Sequence, residues 1–230
     1  MVKQLKTREN ETVPSSSTAA RRGELREALL AAVERTVAAE GYQALRARDL
    51  AREVGCAVGA IYNVFPDLDA LILAAKGRTL DLLDGELAAA VASVAVSAPL
   101  TADVATKQLL ALARAYLRFA IEHAQLWRML FEHRVAADTE LPAWYRGRLS
   151  DLFAHLDAPL RAIVPELADD KRALLGRALF SAVHGIVVLG LEERIDTVSH
   201  GAIAGQIGTV VRACVAGLMA PGKGDEVVRL

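Results

Sequence analysis

The side chains best suited to chemistry fall into two groups. The first is Arg46, Arg48, Val58, Tyr62 and Asn63, all within a short stretch of the chain. Guanidinium and phenol groups bind phosphate oxygens, an asparagine amide can pair with two atoms of adenine, and a valine methyl suits the methyl group of thymine. The second group is Phe119, His123, Trp127, Phe180 and His184. His123 is four residues from both Phe119 and Trp127, so one helical face would present ring, imidazole and indole together. That makes a mostly apolar pocket wall with a polar group to orient a ligand. The same pattern also fits a well-filled core with one hydrogen-bonded histidine. Glu122 and Glu132 could pair with His123 or His184 on paper. No nucleophile motif, phosphate loop or metal spacing accompanies them, so no enzyme is expected. Cys56 and Cys214 lack a His or Cys partner at ligand spacing, and neither a metal nor another cofactor is expected.

The elements that must position the first group are short. Leu50 and Val54 repeat at four residues beside Ala47 and Ala51, giving a helix over 47–54 one apolar face. Gly55 supplies the left-handed backbone that stops this helix. A second helix starts near Ala57 or Val58 and ends before Pro66, which pushes Phe65 out of helical geometry. Ile61 and Phe65 share one face of it, while Val58, Tyr62 and Asn63 lie towards another. A helix of about two turns is not stable alone in water. Held out on a tight turn, it suits insertion into the DNA major groove as the recognition helix of a helix-turn-helix. Tyr62 is then a phosphate contact and Asn63 the base reader. The competing structural roles are that Arg48 solvates its own helix and that the Tyr62 ring packs under the first helix of the module.

Gly41-Tyr42, Arg48-Asp49-Leu50-Ala51, Val54-Gly55, Gly59, Ile61-Tyr62, Phe65-Pro66 and Leu71 stand at fixed spacing, and over roughly residues 22–75 the chain resembles the tetracycline-repressor family of bacterial transcription regulators. The resemblance implies an all-α fold, with an N-terminal three-helix helix-turn-helix DNA-binding domain and a larger α-helical ligand-binding and dimerisation domain. Departures from the family pattern are local. Family members usually have Ser or Thr at the positions of Arg46 and Ala57, where the hydroxyl caps a helix. They often have Lys or Arg at Val58, His or Tyr at Val64, and Lys at Leu68. His184-Gly185, with an upstream Trp, also resembles a family branch whose C-terminal domain carries a Trp and a His-Gly pair.

Along the chain, residues 1–20 read as a disordered arm, 21–67 as the DNA-binding domain, and 68–230 as the effector-binding and dimerisation domain. Leu25, Leu29, Val33 and Val37 mark an amphipathic helix from Arg22 to Glu40. Asp67 is placed to cap a fourth helix, with no flexible linker before it. Further helices are expected over 103–124, after Leu141-Pro142, after Asp169 or Asp170, and after Ser199. The last two are apolar over more of their circumference than one small core requires. By resemblance they pack on their copies in a second subunit as a four-helix bundle, which assigns Leu174, Ala178, Ala182, Val188, Ile207, Val211 and Cys214 to a dimer interface. Packing within one chain is the competing role.

Composition sets the outer bounds. Hydrophobic residues are 53% and aromatic ones 5%, which suits close-packed helices. The net charge of −1 splits into +2 over residues 1–65 and −3 over the rest, so DNA affinity must come from a local surface presented twice. The longest uncharged run, Leu87 to Ala102, contains Pro99 and is too short to span a bilayer comfortably. A cytoplasmic protein without a membrane partner is expected. The expected function is that of a ligand-responsive transcription regulator, by family most often a repressor. It would bind double-stranded operator DNA of palindromic sequence as a homodimer and be released by a small, largely apolar effector. The alternative, motivated by the missing capping hydroxyls and lysines, is a hydrophobic small-molecule binding protein with a weakened DNA-binding module.

Overall fold

The structure, a computed structural model, describes residues 16–95, 99–135, 140–192 and 198–220. Among these the chain is helical throughout, with no strand. Its elements are α1 (Ser16–Glu40), a 3-10 turn (Tyr42–Ala44), α2 (Ala47–Val54), α3 (Val58–Tyr62), α4 (Leu68–Ala92), α5 (Ala102–Glu122), α6 (Ala124–Glu132), α7 (Ala143–Ala154), α8 (Asp157–Ile163), α9 (Asp169–Leu191) and α10 (His200–Met219).

Local chemistry sets most of the boundaries. Gly41 and Gly55 adopt φ of 82° and 76°, ending α1 and α2 in conformations that residues with a Cβ resist. The Asp67 carboxylate accepts from the Ala70 N–H at 2.6 Å, and the Ser199 hydroxyl accepts from that of Ala202 at 3.2 Å, so both expected caps form. Two boundaries differ from expectation. α1 begins at Ser16, so residues 16–20 of the expected arm are helical, consistent with their alanines, and the rest of that arm lies outside the described residues. α9 is capped by Ala168 rather than an aspartate; Asp169 and Asp170 sit inside its first turn, where the helix dipole favours them. Pro159 lies in the first turn of α8, which needs no N–H there.

Among the described residues the buried side chains form three clusters, and α4 runs through all of them. Its Leu71, Ile72, Ala74 and Ala75 join α1, α2, α3 and Met129 of α6 in the N-terminal core. Leu73 and Leu80 meet Leu130 and Tyr145 in a small middle cluster. Leu83 and Leu87 enter the large C-terminal core built on α5 and closed by α8, α9 and α10. A single rigid element therefore spans the reader and the body.

By length and composition alone, α9 and α10 could cross a membrane. One stripe of each is committed inward. Ile207 and Val211 are 1% exposed and pack in the C-terminal core, so these two residues, expected at a dimer interface, instead hold α10 to its own chain. Val188 packs partly against the same core. Ala178, Ala182 and Cys214 are exposed, as is Leu174 at 52%.

Candidate functional site

The reader is held from below. Ile61, Phe65 and Leu50 are buried against α1, and the Arg26 guanidinium lies 4.7 Å above the Phe65 ring. With that face pinned, Val58 (37% exposed), Tyr62 (48% exposed) and Asn63 point outward from α3. The exposure of Tyr62 removes the expectation that its ring packs under α1. α3 itself is only five residues long, and Asn63 is its C-cap.

Neither Arg46 nor Ala57 supplies a side-chain cap, as their residue types lead one to expect. The Arg46 side chain is engaged elsewhere. Its Nη1 donates to the carbonyls of Gln43 at 2.7 Å and Leu45 at 2.9 Å, closing the 3-10 turn onto α2. Around it, positive charge is largely matched. Arg52 pairs with Asp49 at 2.6 Å and Arg35 with Glu53 at 2.7 Å. Arg48 is exposed and meets no acid among the described residues, which leaves its guanidinium available to an outside anion.

In the body, α4, α5, α6, α7, α9 and α10 line a partly open cavity of about 160 Å³. Leu83, Leu112, Phe131, Phe153 and Val183 are typical of its wall, which is overwhelmingly apolar. Of the expected wall residues, Phe180 lines it. Trp127 and His184 stand one layer back, behind Tyr116. The Trp127 Nε1–H donates to Tyr116 Oη at 2.9 Å, and Tyr116 Oη lies 2.7 Å from His184 Nδ1. Since the indole occupies the phenol oxygen as acceptor, pairing every donor requires the phenol proton to go to Nδ1, which makes His184 a neutral ring protonated on Nε2. Burial favours the same neutral form and lowers the His184 pKa. Phe180 stacks on this imidazole with centroids 5.5 Å apart, and Phe131 lies at 4.3 Å.

Phe119 and His123 do not reach the cavity. Phe119 is fully buried in the core, with His123 4.8 Å away as the joint between α5 and α6. The imidazole Nε2 faces Glu86 at 3.7 Å. Glu86, Glu122 and His123 bring three ligand-type atoms within 4.8 Å of one another, but Arg118 already pairs with Glu86 at 3.3 Å and Glu122 is exposed. A mixed ion-pair cluster accounts for this group.

Several residues of this region lay outside the sequence expectation. Tyr116 was within reach of it, since Leu109, Leu112 and Tyr116 share one face of α5. Tyr145 and Lys76 gave no local signal. Lys76 is 5% exposed, its Nζ donating to the His133 carbonyl at 3.0 Å and lying 5.8 Å from the centre of the Tyr145 ring. Burial lowers its pKa. His133 in turn faces Asp69 of α4 at 3.1 Å and the edge of Tyr42 in the reader domain. The cavity wall and the reader are thus joined through α4 and the end of α6.

Comparison with known proteins places both halves. Residues 29–75 match the family model of bacterial regulatory proteins of the tetR family, and residues 109–204 match that of the tetracyclin repressor-like C-terminal domain. No curated protein matches the chain. Among solved structures, a protein of unknown function from Rhodococcus sp. RHA1 is similar at 22% identity, with 93% of this chain and 100% of that one covered and a TM-score of 0.66. A tetR-family transcriptional regulator from Streptomyces coelicolor is similar at 16% identity, covering 90% and 87%, with a TM-score of 0.58. A TetR transcriptional regulator from Rhodococcus sp. RHA1 is similar at 17% identity, covering 86% and 99%, with a TM-score of 0.50. At these identities the shared property is the fold.

Proposed function

Since the chain belongs to the tetracycline-repressor family and is a helix-turn-helix transcription regulator rather than an enzyme, we propose that it acts in the cytoplasm as a homodimeric repressor released from a palindromic operator by a small apolar effector. The observation that carries this is the outward face of α3: Val58, Tyr62 and Asn63 are exposed on a short helix whose other face is locked down by Ile61 and Phe65. Arg46 and Arg48, at the start of the neighbouring α2, join that face in this reading, Tyr62 and Arg48 meeting phosphate and Asn63 and Val58 meeting bases.

The effector occupies the cavity lined by Tyr116 and Phe180, with Trp127 and His184 supporting its wall. A ligand there presses on Leu83 of α4, the helix that also carries the reader. Differential affinity of about 1–3 kcal/mol for two arrangements of α4 is enough for such coupling. The subunit face is the outer stripe of α9 with Leu174, Ala178 and Ala182, continued by Cys214 on α10; exposed apolar side chains on two long helices support it.

The test is selection from random duplexes, with the mass of the resulting complex measured by light scattering. Two inverted half-sites about one DNA turn apart, held by two chains, are expected. A single unrepeated site, or a chain that stays monomeric on DNA, would refute the dimer. Absence of any salt-sensitive sequence preference would instead favour a ligand-binding protein with a weakened DNA module, for which the uncapped starts of α2 and α3 are the supporting observation.

A further inference from the structure

With the cavity taken as the effector site, its lining defines the ligand more narrowly than "apolar". We infer that the effector is a neutral molecule of one six-membered ring with a short substituent, bearing one hydrogen-bond acceptor that Tyr145 Oη–H engages.

Size is the first constraint. The cavity is partly open, and its volume of about 160 Å³ is close to the engineered protein cavity of about 150 Å³ that takes up benzene, so one ring is what seats fully within its wall. Charge is the second. Among the described lining residues His155 has the one basic side chain, and its Nε2 is already directed at Asp84 Oδ1, 2.8 Å away. A carboxylate inside would lack a free counter-ion among the described lining residues, and burying an unpaired charge is strongly unfavourable. The ammonium of Lys76 lies against the Tyr145 ring, but Lys76 is not part of the lining and its Nζ is bonded to the His133 carbonyl.

Hydrogen bonding is the third. The lining contains two phenols. Tyr116 Oη is fully engaged, accepting from Trp127 and facing His184. Tyr145 is 4% exposed, lines the cavity, and bonds to no described residue. Its oxygen is not sealed in by protein: among the described residues, the closed-in side-chain polar atoms without partners are Gln108 Oε1 and His133 Nδ1. Nothing but burial acts on the phenol, pushing its pKa up to about 12, so it stays a donor at any physiological pH. An unpaired donor on a residue of this apolar wall selects a ligand with a matching acceptor, because the unmade bond is what a pure hydrocarbon leaves behind.

Three compounds of nearly equal shape separate these constraints: ethylbenzene, acetophenone and benzoate, titrated calorimetrically into the full-length protein at neutral pH. Ethylbenzene and acetophenone should bind and benzoate should not. In Tyr145→Phe, acetophenone should weaken about fivefold while ethylbenzene changes by less than about twofold, as expected for loss of one net hydrogen bond. The melting temperature of the unliganded variant should hold or rise, since the lost hydroxyl had no partner. Equal weakening of both neutral compounds would overturn the role of Tyr145. Benzoate binding as tightly as acetophenone, or no binding of either neutral compound, would overturn the assigned class. Duplex binding measured on the same samples reports separately on the regulator: an intact DNA complex that bound acetophenone fails to dissociate would sink the effector role of the cavity while leaving the Tyr145 comparison standing.

Discussion

Replacing Arg48 by alanine isolates one electrostatic contact from everything else the reader does. Arg48 is exposed on α2 and has no acid partner among the described residues, and alanine is at least as good a helix former, so folding stability should change by less than about 0.5 kcal/mol. Each phosphate neutralised by a cation adds about 0.9 to the slope of log K against log salt concentration. Two copies on one duplex therefore predict a slope shallower by about 1.8 in Arg48→Ala. Arg52→Ala is the internal control, because Asp49 already compensates that guanidinium at 2.6 Å and its loss should alter the slope by less than half as much. Arg46→Ala should behave differently again: it removes two hydrogen bonds that close the 3-10 turn, so stability and DNA binding should fall together. The assay is fluorescence anisotropy of a labelled duplex over a potassium chloride series, with urea denaturation of each variant alongside. A slope unchanged in Arg48→Ala, or reduced equally in Arg52→Ala, would refute the placement of Arg48 at the DNA backbone.

Two other expectations concern the body. A Cβ on Gly190 would lie 2.8 Å from both Cγ1 and Cδ1 of the fully buried Ile203, so Gly190→Ala should destabilise by up to about 2 kcal/mol, overpacking of about 1–3 kcal/mol outweighing the helix-propensity gain of about 1. Gly85→Ala, with open space around the new methyl, should instead stabilise by about 0.5–1 kcal/mol; equal urea midpoints for the two would contradict the close crossing of α9 and α10. For His184, the folded pKa is depressed below the ordinary 6.5, so the unfolded chain takes up the proton first. Stability is then full above about pH 6.5 and declines as the pH falls from there through the folded pKa. Thermal melts from pH 7.5 to 5 should show this decline in the parent protein and less of it in His184→Gln, whose amide oxygen still accepts from Tyr116; parallel curves would remove His184 as the cause.

How far the sequence led depended on whether the signal was local. Leu50, Gly55, Ile61 and Pro66 specify the reader by spacing and backbone preference within one short stretch, and the exposed face of α3 follows directly. The cavity was harder because its expected wall assumed one unbroken helix through Phe119, His123 and Trp127. His123 breaks it, at φ −120° and ψ 41°, so α6 leaves in a new direction and the four-residue spacing no longer means a common face. Tyr145 and Lys76 meet from helices far apart in sequence, which no periodicity encodes. Ile207 and Val211 illustrate a different limit: an apolar stripe tells that a surface is covered but not whether its own chain or a copy covers it.

The uninterrupted course of α4 through all three clusters bears on any attempt to graft this reader onto another sensor. In an α-helix one inserted residue turns everything beyond it by about 100° and advances it about 1.5 Å. A splice between Lys76 and Leu83 must therefore conserve the residue count, or Leu71 and Leu83 cannot both regain their seats. Chimeras joined in register should respond to the new sensor's ligand, and those offset by a single residue should fold into halves that no longer address the same duplex.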